Sequence, residues 1–179
     1  GGVRLRGKSL TAGDPEWHRR IGVLSHKAFL YGHLTLEENL RFFGTLFGLR
    51  DLDERVPERL RQVGLEERSR SLARTLSRGM RQRLALARTL LHDPDCVLLD
   101  EPYTGLDAHA AAVLRGVLAS LKDGHRTVIL VTHNITQGLE LADQVAIQVR
   151  GRFVFQDDRA KVDFGTFENF YRERVEEVG

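Results

Sequence analysis

Two apolar runs, each ending in polar residues able to do chemistry, constrain this chain more than any other feature. CVLLDEP begins at Cys96 and TVILVTH at Thr127, and four or five apolar residues in each pass without a polar interruption. That pattern predicts strands buried on both faces, as in a parallel sheet covered by helices. The stretch between them, 108–122, has helical spacing and closes at Gly124. A helix at 135–142 and a strand at 145–149 follow, and Arg150-Gly151 turns that strand into 153–155. Strand, helix, strand, helix, strand predicts an α/β layer fold with a mostly parallel sheet.

Upstream, Val3 and Leu5 alternate with Arg4 and Arg6, and Ile21-Gly22-Val23-Leu24 is a second short strand pattern. The period changes at Thr35, which forms a T-x-x-E capping box with Glu38. Leu36, Leu40, Phe43 and Phe47 then share one helical face. Asp53 is the expected cap of a second helix, with Val56, Leu60 and Val63 inward and Gly64 at its end. Residues 35–75 therefore read as a helical insert. A third helix is expected over 78–92, with Met80, Leu84, Ala87 and Leu91 inward, stopped by Asp93-Pro94. The tail, 167–177, has the pattern of an amphipathic helix.

At 179 residues the chain fits one domain. Its net charge of +2 is too small to argue for nucleic acid, and its Arg residues lie among acids. No run of roughly 18 apolar residues is present to span a bilayer. Cys96 is the only cysteine, so no internal disulfide can form, and a small buried hydrophobe explains it better than a nucleophile.

The candidate chemistry begins with Asp100 and Glu101 at the end of the first apolar run. Ligands of open α/β sheets bind at the carboxyl ends of strands. One carboxylate suits Mg²⁺ and the other a general base, although two solvated acids at a strand end read the same way. Ser77 can cap the helix starting at Arg78, and with Gly79 it offers an anion site; a plain N-cap has the same residues. Asp107 alone is a loop acid or a cap. His133 ends the next apolar run, where a satisfied surface histidine is equally ordinary. Two neighbouring parallel strands would nevertheless bring Asp100, Glu101 and His133 to one sheet edge.

The ordered set decides: LSRGM-x-QR, four apolar residues then DEP, TGLD, and an apolar run ending TH. In this order it resembles the ATP-hydrolysing subunits of ABC transporters, over nearly the whole chain up to about Phe155. The resemblance implies a P-loop NTPase-like (RecA-like) core with a helical subdomain, ATP and Mg²⁺ as ligands, and a nucleotide-sandwich dimer. It implies that Leu76, Ser77, Arg78, Gly79 and Met80 form the ABC signature and that Asp100 holds Mg²⁺. Glu101 is then the catalytic base, Asp107 belongs to the D-loop, and His133 is the switch histidine near the γ-phosphate. Arg78 and Met80 depart from the usual L-S-G-G-Q, while Ser77 and Gly79 are kept. His26 stands where the family has a Gln, and its charge depends on pH. That histidine, with FLYGHLTLEENLRFF behind it, resembles the haem-exporter ATPases of cytochrome c maturation.

The first ten residues, GGVRLRGKSL, contain G-x-x-x-x-G-K-S, the phosphate-loop pattern. Turn chemistry, not a helix, follows Ser9, and Lys8 is much closer to His26 than a family phosphate loop would be. The stretch instead resembles the segment after that loop. The chain is then expected to be an N-terminally truncated fragment, inactive alone, of a protein that hydrolyses ATP when intact. The expected parts are a core remnant at 1–24, the Gln-loop position and helical subdomain at 25–75, the rest of the core at 76–155, and a tail at 156–179. Partners implied are a second ATPase subunit and an integral membrane subunit contacted through 25–75, at the cytoplasmic face of the membrane. An ABC ATPase acting on ribosomes or DNA is the alternative, and a non-enzymatic binding module the third class.

Overall fold

Three short strands form the parallel sheet: β3 (Ile21–Leu24), β4 (Cys96–Asp100) and β5 (Thr127–Val131), in the order β3-β4-β5. The registers Val23↔Leu98↔Ile129 and Asp100↔Val131 put both chemistry-bearing strand ends at one edge. The computed structural model describes residues 2–5, 7–9, 17–25 and 28–178. His26 therefore lies outside the described residues.

The chain opens on a hairpin of β1 (Arg4–Leu5) and β2 (Lys8–Ser9), with Leu5 opposite Lys8 and Gly7 at φ +78° in the turn. In the opening G-K-S, Gly7 is thus a turn residue and Lys8-Ser9 are strand backbone.

Helix α1 (Leu36–Leu46) starts at the expected capping box. Thr35 Oγ1 accepts from the Glu38 N–H at 3.2 Å, and Glu38 Oε2 accepts from the Thr35 N–H at 2.8 Å. Helix α2 (Leu52–Gln62) starts earlier than expected. Its N-cap is Asp51, whose carboxylate bonds Arg55 at 2.7 Å and makes no capping bond. Asp53 lies inside the first turn and pairs with Arg41 at 2.8 Å. Helix α3 (Arg78–Leu90) begins at Ser77 as expected, and α4 (Ala108–Ser120) begins at Asp107. Leu24, Leu36, Leu40, Leu84, Leu86, Leu90 and Leu91 are fully buried between these helices and the sheet. Each such side chain contributes about 1.5–3 kcal/mol of transfer free energy.

The sheet departs from its expected burial. Ile129 and Val131 are 49% and 58% exposed, and Val23 is 48% exposed. Alternation puts Val23, Leu98, Ile129 and Val131 on one face. Among the described residues, the opposite face, with Gly22, Leu24, Val97 and Leu99, is the better buried. An unbroken apolar run does not reveal which face is covered. β4 is buried as expected; β5 is not. Cys96 is buried, and burial pushes its thiol pKa up.

The turn into β5 carries a titration signature. Asp123 accepts from Arg126 Nε at 2.9 Å and from the His125 N–H at 2.8 Å, which hold its carboxyl pKa at about 2. The folded value lies below the ordinary unfolded one of about 3.9. The ionised form is therefore the stabilising one, with its contribution full above that unfolded value and lost as pH falls toward 2. An NMR carboxyl titration is expected to give Asp123 a midpoint near 2, rising toward the ordinary value in Arg126→Ala. An unchanged midpoint in that variant would contradict the assignment.

The chain divides into two units, Gly1–Val131 and Thr132–Gly179. The second contains α5 (Ile135–Leu141), β6 (Gln144–Val149), β7 (Arg152–Asp158) and α6 (Phe167–Val178). β6 is not a further parallel strand; it pairs antiparallel with β7. The reason is local: Arg150 and Gly151 adopt φ +47° and +77°, the geometry of a tight hairpin turn. Leu139, Ile147, Val162 and Phe167 form this unit's own core. Phe167 and Phe170 pack against Phe155 within it.

Candidate functional site

β4 ends at Asp100, which is exposed at the carboxyl edge of the sheet. The next residue, Glu101, has φ +48°. A left-handed non-glycine backbone costs on the order of 1–3 kcal/mol and persists only where its surroundings enforce it. Here the Glu101 N–H donates to Val131 O at 2.9 Å, extending the β4–β5 ladder by one bond. Its carbonyl accepts from the Thr104 N–H at 3.2 Å, and Thr104 Oγ1 lies 3.4 Å from Glu101 Oε2. Two exposed or half-exposed carboxylates thus leave one strand end through a fixed turn. Asp100 offers one hard oxygen ligand set, which fits Mg²⁺ completed by phosphate and water oxygens.

The start of α3 is joined to this turn. Ser77 Oγ accepts from the Met80 N–H at 3.3 Å, so part of its expected role is that of a cap. The first turn holds no acid, and Ser77 and Arg78 are exposed, so the helix end is open and electropositive. Leu76 is buried and Met80 half-buried. Gly79 is packed tightly: a Cβ there would lie 3.1 Å from Ala110 Cβ on α4. The Arg78 guanidinium crosses Gly105, where a Cβ would meet Arg78 Cζ at 2.4 Å and φ is +73°. Gln82 Nε2 donates to Pro102 O at 3.3 Å. Helix α3 is therefore locked to the 101–105 turn at two points. Asp107 Oδ1 accepts from the Ala110 N–H at 2.7 Å and caps α4.

Residues 76–80, Asp100, Glu101 and Asp107 are thus brought into one connected region of the first unit. His133 is exposed and belongs to the second unit, two residues beyond β5. Thr104 and Gln82 take part without standing out in the sequence. Their only signals are a hydroxyl three residues after the acid and the Gln of the M-x-Q-R run.

Behind the site, Arg83 donates to Val63 O at 2.9 Å and to Gly64 O at 3.2 Å, pinning α3 to the end of α2. Burial lowers its pKa, opposed by the charge of Asp107. Thr89 Oγ1 donates to Val23 O at 3.0 Å, fixing α3 on β3.

The arrangement matches known proteins. The family model described as ABC transporter covers residues 1–104. A fluoroquinolones export ATP-binding protein of Mycobacterium tuberculosis is 39% identical over 143 residues, covering 80% of this chain and 47% of that protein. A Nod factor export ATP-binding protein of Cupriavidus metallidurans is 37% identical over 154 residues, covering 85% of this chain and 51% of that protein. The chain thus spans about half the length of these relatives. A solved structure described as the ATP binding subunit of an ABC transporter superposes with a TM-score of 0.79 at 27% identity, covering 97% of this chain and 74% of that one. The α/β fold with its parallel sheet is that of the P-loop NTPase-like ABC ATPases, and the chain belongs to the ABC transporter family.

Proposed function

We propose that this chain is part of an ATPase subunit that powers export through a separate membrane subunit. The observation that supports it most is Glu101: an acid in left-handed backbone, tied to the neighbouring strand, beside Asp100 at the carboxyl edge of the sheet.

In this reading Glu101 accepts the proton of the attacking water. Its enforced backbone fixes where the side chain leaves the chain, at the carboxyl edge of the sheet. Asp100 would hold Mg²⁺, which supplies charge neutralisation at the phosphate oxygens. His133 bonds the γ-phosphate, and His26 orients water from the Gln-loop position. The open α3 terminus, with Ser77 and Gly79, grips the γ-phosphate of an ATP held by a second subunit, and Asp107 shapes that contact by fixing the start of α4. Residues 1–24 and 76–155 would form the ATPase core, 25–75 the Gln-loop position and partner-contacting helices, and 156–179 a structural tail.

No helix among the described residues is long and apolar enough to cross a membrane, which fits a peripheral subunit at the cytoplasmic face. The relatives' names support transport over action on ribosomes or DNA. Haem as cargo rests on the His26 stretch alone, and the relatives' names do not add to it.

The test uses the full-length protein. Ser77→Arg is expected to lower Mg²⁺-dependent ATP turnover by about 100-fold, the scale for losing a fixed oxyanion donor. Lys8→Ala is expected to leave turnover and ATP affinity unchanged, because Lys8 is a strand residue of the opening hairpin. Loss of ATP binding in Lys8→Ala would make residues 2–9 the phosphate loop and overturn the assignment.

A further inference from the structure

The 101–107 turn is anchored at both ends and crossed in its middle by one side chain. The Glu101 N–H bond to Val131 O ties its start to β5, and its end becomes the Asp107 cap of α4. Between these ends the chain closes on itself. The Thr104 N–H donates to Glu101 O and the Leu106 N–H to Tyr103 O, both at 3.2 Å. The tip, Thr104 and Gly105, is exposed. Exposed backbone bonds of this kind open locally at little cost, so the course of the turn depends on what lies across it.

Arg78 lies across it. A Cβ built on Gly105 would be 2.6 Å from Arg78 Nε and 2.7 Å from Nη1, with Cζ nearer still. Three atoms of a planar group at nearly one distance from one point mean that the face of the guanidinium covers Gly105. Only glycine leaves that space, and its φ of +73° is one that other residues rarely adopt. Arg78 reaches over from the first turn of α3. Gly79 and Gln82, on the same side of that helix, meet Ala110 and Pro102. The three contacts make one grip of α3 on 102–110.

We propose that Arg78 is a positioning residue: its flat guanidinium on Gly105 holds the 101–107 turn, and through the turn Glu101, in place. This rests on the ATPase reading above. The resemblance implies a place for Arg78 in the signature that meets nucleotide; the stack gives its side chain a task within its own chain. A guanidinium laid face-on against backbone uses its planar, weakly hydrated surface. Lysine carries the same charge without the plane, so one substitution separates charge from stacking. Without the plane the tip opens, and the turn that starts at Glu101 loses its fixed course. A misplacement of about 1 Å at a reacting group lowers turnover by up to about 100-fold.

The test uses the full-length protein. Arg78→Lys and Arg78→Ala are expected to lower kcat for Mg²⁺-dependent ATP turnover alike, by at least about tenfold, with KM for ATP unchanged. Gly105→Asn tolerates the left-handed backbone but displaces the guanidinium, and it is expected to match them. Added to Arg78→Ala, it should cost nothing further. Hydrogen exchange of the Thr104 and Leu106 amides should quicken in Arg78→Lys and Arg78→Ala, while exchange in α1, α2 and β3 stays as in wild type and certifies the fold. Wild-type kcat in Arg78→Lys would make charge the working property and overturn the proposal. Unchanged exchange at Thr104 and Leu106, a raised KM with kcat intact, or fully additive losses in the double variant would overturn it too. Absence of Mg²⁺-dependent turnover in the wild-type protein would instead overturn the ATPase reading, and the positioning role with it.

Discussion

Glu101→Gln in the full-length protein is expected to reduce ATP turnover by about 10²–10⁴-fold, the range for removing a positioned general base. ATP affinity should stay near wild type, because the amide keeps the size and the backbone of the side chain. The geometry makes this a sharp expectation. Glu101 occupies left-handed backbone held by Val131 O, and Thr104 Oγ1 lies 3.4 Å from its carboxylate. Asp100 is adjacent in sequence, but it is the last residue of β4, in register with Val131 of β5. Steady-state turnover with a parallel fluorescent-ATP titration checks both halves. Unchanged turnover would remove Glu101 as the base, and lost binding would assign it to holding nucleotide.

Gly22→Ala is expected to destabilise the protein by about 1–3 kcal/mol, the cost of overpacking a filled core. A Cβ at Gly22 would lie 2.7 Å from Thr89 O, 2.9 Å from Thr89 Cγ2 and 3.0 Å from Pro94 Cγ. The first of these is helix backbone and cannot rotate aside. Helix α3 would have to lift off β3, breaking the Thr89–Val23 bond and moving Arg88 with it. Gly116→Ala is the internal control. It sits in α4 with nothing within 4 Å of its added Cβ, so it should stabilise by about 0.5–1 kcal/mol through helix propensity alone. Urea denaturation of both variants reads the sign directly. A Gly22→Ala variant that is neutral or stabilised would contradict the close α3–β3 approach.

Local rules made several elements legible in the sequence. The Thr35–Glu38 capping box, the Ser77 start of α3 and the apolar β4 ending in two acids depend on contacts within a few residues. Other features depend on packing between distant segments, which a single sequence does not encode locally. An apolar TVILV run specifies a strand, but not that Ile129 and Val131 stay exposed. One miss was local: α2 starts at Asp51, upstream of Asp53, with Asp51 paired to Arg55 four residues on. The Arg150-Gly151 turn was legible; that β6 pairs with β7 in a sheet separate from β3-β4-β5 was not. At the candidate site, the placement of Asp100 and Glu101 at the end of β4 and of residues 76–80 around the start of α3 was readable from the sequence. The Gln82–Pro102 bond and the Arg78–Gly105 stack, which join those stretches, were not.

The most direct measurement mixes two inactive full-length variants, Glu101→Gln and Ser77→Arg, and assays Mg²⁺-dependent ATP turnover. If the α3 terminus of one subunit completes the ATP site of the other, a mixed dimer holds one site with an intact Glu101 and an intact partner Ser77. Turnover should then return in the mixture although each variant alone is inactive. A mixture that stays inactive while mixed dimers form would mean that Ser77 and Glu101 serve the same site within one chain, and the two-subunit reading would fail.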